Sequence, residues 1–136
     1  MRAFVYEDAC GPCTRLARIM ARRSVRRDGT AGLDVVPYSR IEWQLDEGSR
    51  ARFPREALYV EGPAPTPDDG AHLPEGLGDP ERESWGHAAV ARALLASARR
   101  PDRAVGGFLL HPLVSPAASR AYLAISGNPL VMRLKG

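Results

Sequence analysis

The sequence predicts an α/β protein built around a strand–helix–strand unit at its N-terminus. Three observations carry this reading. The run "RAFVY" at residues 2–6 is short, apolar-rich and β-prone. The following "GPCTRLARIMARRSVRRD" repeats apolar residues at helical spacing, and "LDVVPYS" at 33–39 reads as a second buried strand. Two strands joined by a helix imply a parallel pair with a right-handed crossover. A length of 136 residues suits one domain with a real hydrophobic core, and 1–136 reads as a single domain without internal repeats.

The elements follow in order. In the first helix Cys13, Leu16, Ala17, Met20 and Ser24 share one stripe, and arginines occupy the other faces. Pro12 suits the first turn, where an N–H has no intrahelical acceptor, and the Arg-rich end suits the negative pole of the helix dipole. "RDGTAG" at 27–32 stops it. After the second strand, "RIEWQLDEGSRARF" reads as one or two short helical turns containing Trp43 and Leu45, and "EALYVEG" at 56–62 as a third strand. Residues 62–83 hold five prolines, four glycines and an acidic run, and read as a solvated loop, with a fourth strand expected near 81–85. "GHAAVARALLASARR" at 86–100 predicts one helix with Val90, Ala93, Leu94 and Ser97 on a stripe. Beyond it, apolar helical pieces are expected to break at Pro112, Pro116 and "GNP" at 127–129.

The net charge of +3 is unevenly spread. Residues 61–84 carry seven acids against Arg82, whereas 85–136 carry seven bases against Asp102. The bases are scattered and lack an aromatic-and-basic stripe, so nucleic-acid binding is not expected. No apolar run approaches the roughly 18 residues that span a bilayer. "MRAFVYEDAC" has no signal-peptide apolar region, so a cytoplasmic location is the expectation, and there a permanent structural disulfide would be unusual.

Cys10 and Cys13 are the only cysteines, spaced C-x-x-C at the junction of strand and helix. Cys10 falls near the helix N-cap, where unpaired N–H groups and the positive dipole end favour a thiolate and lower its pKa from about 8.5 to about 7 in such sites. Cys13 lies one turn on and is expected to sit deeper. Cys10 would attack a disulfide and Cys13 would resolve the mixed disulfide. Glu7 and Asp8 oppose this if they face the sulfur, since nearby negative charge disfavours a thiolate; otherwise they form a solvated turn. Two alternatives stand beside redox use. A zinc site needs four ligands, and His72, His87 and His111 are 15 and 24 residues apart. The pair could also be two inert thiols in a non-catalytic binding module. Trp43 and Trp85 read as core or cover, and the histidines as incidental. His87 stands out because it opens a helix after the acidic loop.

The tetrapeptide Cys10–Gly11–Pro12–Cys13 is identical to the thioredoxin motif, but Ala9 stands where thioredoxins have Trp and Phe4 where they bury an Asp. Pro54 is the nearest candidate for their proline before a strand. The wider chain resembles the DCC family of predicted thiol–disulfide oxidoreductases. "FVYEDACGPC", "REALYVEG", "SWGHAAVARALL" and "AYLAISGNPLVMRL" fall in that family's order, with Glu7 and Asp8 in place of its Asp and Gly. The resemblance implies a thioredoxin-like core with a mixed sheet, added C-terminal helices and an insertion at about 62–83. It also implies thiol–disulfide chemistry carried by Cys10 and Cys13. No cofactor or metal is expected, and the expected partner is a disulfide-containing protein or small thiol.

Overall fold

The structure is a computed structural model that describes residues 1–53, 55–64, 73–75 and 77–126. Its strands are β1 (Arg2–Tyr6), β2 (Asp34–Pro37), β3 (Leu58–Glu61) and β4 (Glu83–Trp85). Its helices are α1 (Gly11–Arg23), α2 (Tyr38–Ile41), α3 (Glu47–Arg52), α4 (His87–Leu95), α5 (Arg100–Leu110) and α6 (Ser115–Ser126), with a 3₁₀ turn at Glu42–Gln44 between α2 and α3. The strands form one mixed sheet in the order β2-β1-β3-β4. β1 runs parallel to β2, as the N-terminal unit predicts, and β3 is antiparallel to both β1 and β4. The short fourth strand falls where the sequence puts it.

Strand alternation divides the core into two layers, because successive side chains point to opposite faces. Ala3 and Val5 of β1 and Leu58 and Val60 of β3 face one side, where Ile41, Leu45 and Phe53 cover them. Phe4 and Tyr59 face the other, against Met20 of α1 and Ala89 and Ala93 of α4. In register, Phe4 stands beside Val35 on one side and Tyr59 on the other, so β1 and β3 are the two inner strands that both layers grip.

Four expectations change here. Residues 62–83 are not simply a solvated excursion: Leu73 is only 3% exposed and joins the first core layer, and Pro74 is fully buried behind it. The Glu75 N–H donates to the Pro63 carbonyl at 3.1 Å, pinning the segment to the end of β3. The helices on this face are short, and Leu73 supplies apolar cover that they lack. Asp68, Asp69 and His72, with Pro54 and residues 127–136, lie outside the described residues.

The helix expected at 86–100 ends at Leu95. Ser97 turns the chain: its hydroxyl donates to Asp102 at 2.7 Å and accepts the Arg99 N–H at 3.1 Å, which competes with helical pairing. Pro101 cannot sit inside a helix without losing a hydrogen bond, and instead opens α5. Asp102, the acid among the bases of this half, is buried and also takes a 2.7 Å ion pair from Arg23. One carboxylate thus ties the end of α1 to the α4–α5 turn. α5 then crosses α4 at backbone distance, since a Cβ on Gly106 would stand 2.6 Å from the Ala91 carbonyl oxygen. Likewise Pro116 does not break a helix but lies in the first turn of α6.

Trp43 is exposed, not core. Ile41 and Leu45 take the inward positions on either side of it, which leaves the residue between them facing out. Trp85 is a cover residue as expected. It packs edge-on to Phe53 at 5.4 Å, with the Arg52 guanidinium 4.3 Å above its ring.

Candidate functional site

The cysteines sit where β1 hands over to α1. Cys10 is the N-cap: its backbone is extended (φ −95°, ψ 118°), and its sulfur accepts the Cys13 N–H at 3.3 Å. Its carbonyl accepts both the N–H and the hydroxyl of Thr14 at 3.0 Å. The first turn of α1 carries no acid to compensate its positive pole, and Arg22 and Arg23 in the last turn offset the negative one. Cys10 and Cys13 are joined in a disulfide, with their Cα atoms 5.3 Å apart.

Burial reverses the expected depth of the two sulfurs. Cys10 is 1% exposed, whereas Cys13 is half-buried. The turn that precedes α1 folds back, with the Cys10 N–H on the Glu7 carbonyl at 3.2 Å, and draws the N-cap inward. Cys13 does lie on the stripe of Ala17 and Met20, but at its first turn, where the stripe overhangs a cavity instead of the packed sheet.

That cavity holds about 230 Å³ and is almost wholly apolar. Phe4 and Tyr6 of β1 form one wall, and Pro12 and Leu16 of α1 stand beside the two cysteines. Arg55, Glu56 and Ala57, the approach to β3, lie across from them. Val90 of α4 and Tyr122 and Ile125 of α6 complete the lining. The Tyr122 hydroxyl accepts the Ala57 N–H at 2.9 Å, and the Ala57 carbonyl accepts the Gly86 N–H at 2.9 Å. Gly86 has φ +62°, a conformation that disfavours side chains, and the Tyr122 ring lies 3.6 Å from where a Cβ would stand. Burial pushes the Tyr122 phenol up, outweighing the opposing effect of the Ala57 contact, so it stays protonated. None of these α6 residues carries a spacing signal in the sequence. They become visible only when the chain returns over the cysteines.

The two acids before Cys10 part ways. Asp8 is drawn to the start of α2, where its carboxylate accepts the Ser39 hydroxyl at 2.6 Å and the Ser39 N–H at 3.1 Å. Glu7 accepts the Ala9 N–H at 3.0 Å while also lining the cavity. Partial burial raises the Asp8 carboxyl, but the two Ser39 hydrogen bonds together outweigh it and hold the group below its ordinary 3.8. A carboxyl depressed in the folded state contributes stability that is complete above its unfolded value and lost as pH falls through the folded one. The turn therefore loosens only below about pH 4. Ser39→Ala is expected to move the Asp8 titration back towards 3.8, read from its carboxyl NMR shift; an unmoved titration would show that Ser39 does not hold it.

The remaining candidates lie elsewhere. His87 opens α4 and meets the Ser115 hydroxyl at 2.7 Å, which ties down the start of α6. His111 accepts the Leu113 N–H at 3.2 Å. Among the described residues, no three His, Cys, Asp or Glu side chains come together as a metal site would need. No helix among them is long and apolar enough to cross a membrane. Compared with protein-family models, with curated proteins and with solved structures, the chain matches none.

Proposed function

We propose that the protein is a thiol–disulfide oxidoreductase on a thioredoxin-like core. The observation that carries this reading is the Cys10–Cys13 disulfide on a helix N-terminus, with the Cys10 sulfur as acceptor for a backbone N–H. The same N–H stabilises a thiolate when the pair is reduced. The sheet order β2-β1-β3-β4, with β1 and β2 parallel and β3 antiparallel, supports the fold assignment. The resemblance to the DCC family points the same way.

In the forward direction the Cys10 thiolate attacks one sulfur of a substrate disulfide. The substrate S–S bond breaks, the departing sulfur takes a proton from solvent, and Cys10 is left in a mixed disulfide. The Cys13 thiolate then attacks the Cys10 sulfur and expels the second substrate thiol. The substrate gains two electrons and the protein loses two, ending as the Cys10–Cys13 disulfide; a dithiol reductant restores it.

A second reading, a non-catalytic binding module on the same fold, draws on the near-complete burial of Cys10. Redox titration separates the two. The reductase reading expects a reversible couple between about −270 and −120 mV and an alkylation pKa for Cys10 below about 8.5. A pKa at or above about 8.5, with no reversible disulfide in redox buffer, would leave the binding module.

A further inference from the structure

We propose that the cavity beside the disulfide is a specificity pocket for one bulky apolar side chain next to the reacting cysteine of a polypeptide substrate. This rests on the redox reading above and names its substrate class. Whatever reacts at the pair must bring a sulfur to a cavity wall that both cysteines form, so its neighbouring group enters the cavity.

The lining decides what that group is. Phe4, Leu16, Val90 and Ile125 present carbon, and the tyrosine hydroxyl from α6 is already committed to the Ala57 N–H. The charges at the lining do not suit an anion: Glu7 repels it, and Glu56 is paired with Arg52 at 2.7 Å, which leaves Arg55 as a lone cation. A polar or acidic neighbour would be dehydrated there against a lining that is almost wholly apolar.

Size narrows the class further. An apolar cavity of about 150 Å³ binds benzene, and pockets for whole drug-sized ligands run from about 300 Å³. A volume of about 230 Å³ takes one aromatic or large aliphatic side chain. The rest of the substrate must lie outside, and the apolar surface continues there. Leu16 of α1 and Ile125 of α6 both line the cavity and are 38% and 60% exposed. A small disulfide has no use for that rim, whereas a polypeptide can cover it.

The test uses the reduced full chain and two short neutral peptides. Each carries one cysteine as a mixed disulfide with 2-mercaptoethanol, preceded by Phe in one and Ser in the other. Single-turnover rates are divided by the rate at which dithiothreitol reduces the same peptide. The Phe peptide is expected to react about tenfold faster, the lower end of what burying such a side chain supplies. Ile125→Asp, at a position that is 60% exposed, is expected to reduce that ratio to about threefold or less. Equal normalised rates for the two peptides, or a ratio that Ile125→Asp leaves intact, would overturn the pocket while the redox reading stands. If neither peptide were reduced faster than by a simple thiol, the redox reading itself would fall, and the pocket with it.

Discussion

Cys10→Ser abolishes reduction of an accessible disulfide, by at least about a thousandfold, while Cys13→Ser still attacks once and accumulates a mixed disulfide on Cys10. The two variants together resolve a competition built into the site. Exposure favours Cys13, which is half-buried, over Cys10, which is 1% exposed. Thiolate stabilisation favours Cys10, whose sulfur accepts the Cys13 N–H at the helix N-terminus. The thiolate is the attacking species, and burial in a cavity that substrate itself enters does not protect it, so the N-cap position decides. Mass spectrometry of the trapped adduct reads the outcome directly. An adduct that formed on Cys13 in the Cys10→Ser variant at the wild-type rate would exchange the two roles.

Leu73→Ala costs about 2–5 kcal/mol of folding stability, the range for removing a large buried aliphatic side chain. It is a severe effect for a residue in a Pro- and Gly-rich connection. The cost arises because Leu73 is 3% exposed and packs with the first core layer. Urea denaturation checks it: the midpoint falls while the slope is unchanged. The cavity at the cysteines lies against the other layer, with Phe4 and Val90, so alkylation of reduced Cys10 keeps its rate. A stability change below about 0.5 kcal/mol would make Leu73 a surface residue after all.

The N-terminal unit was legible in the sequence because local rules decide it. Short β-prone apolar runs, a proline in the first helical turn and a C-x-x-C at the junction each point one way, and β1, α1 and β2 follow them. The acids at 7 and 8 were legible only as a question, because direction depends on Ser39, which lies 31 residues away from Asp8. Composition misled at Leu73: one buried leucine among prolines, glycines and acids leaves no period to detect. The end of α4 was missed because Ser97 reads as part of a helical stripe until its pairing with Asp102 is seen. The relative depth of the two cysteines carries no periodic signal. It follows from the turn at Glu7–Cys10 and from a cavity that Ala57 and Tyr122 help to line, and long-range closure of that kind has no signature along the chain.

The attachment of α6 has a kinetic side. Among the described residues its hold on the body rests on the Tyr122 hydroxyl at Ala57, the His87–Ser115 contact and a few half-buried side chains, while Leu123 and Ile125 remain exposed. Segments held so lightly open at free energies well below that of global unfolding. The α6 wall of the cavity and the sheet therefore breathe on separate clocks. Core damage shortens the life of the molecule, but the shape of the cavity beside the disulfide follows one helix lifting from its tyrosine.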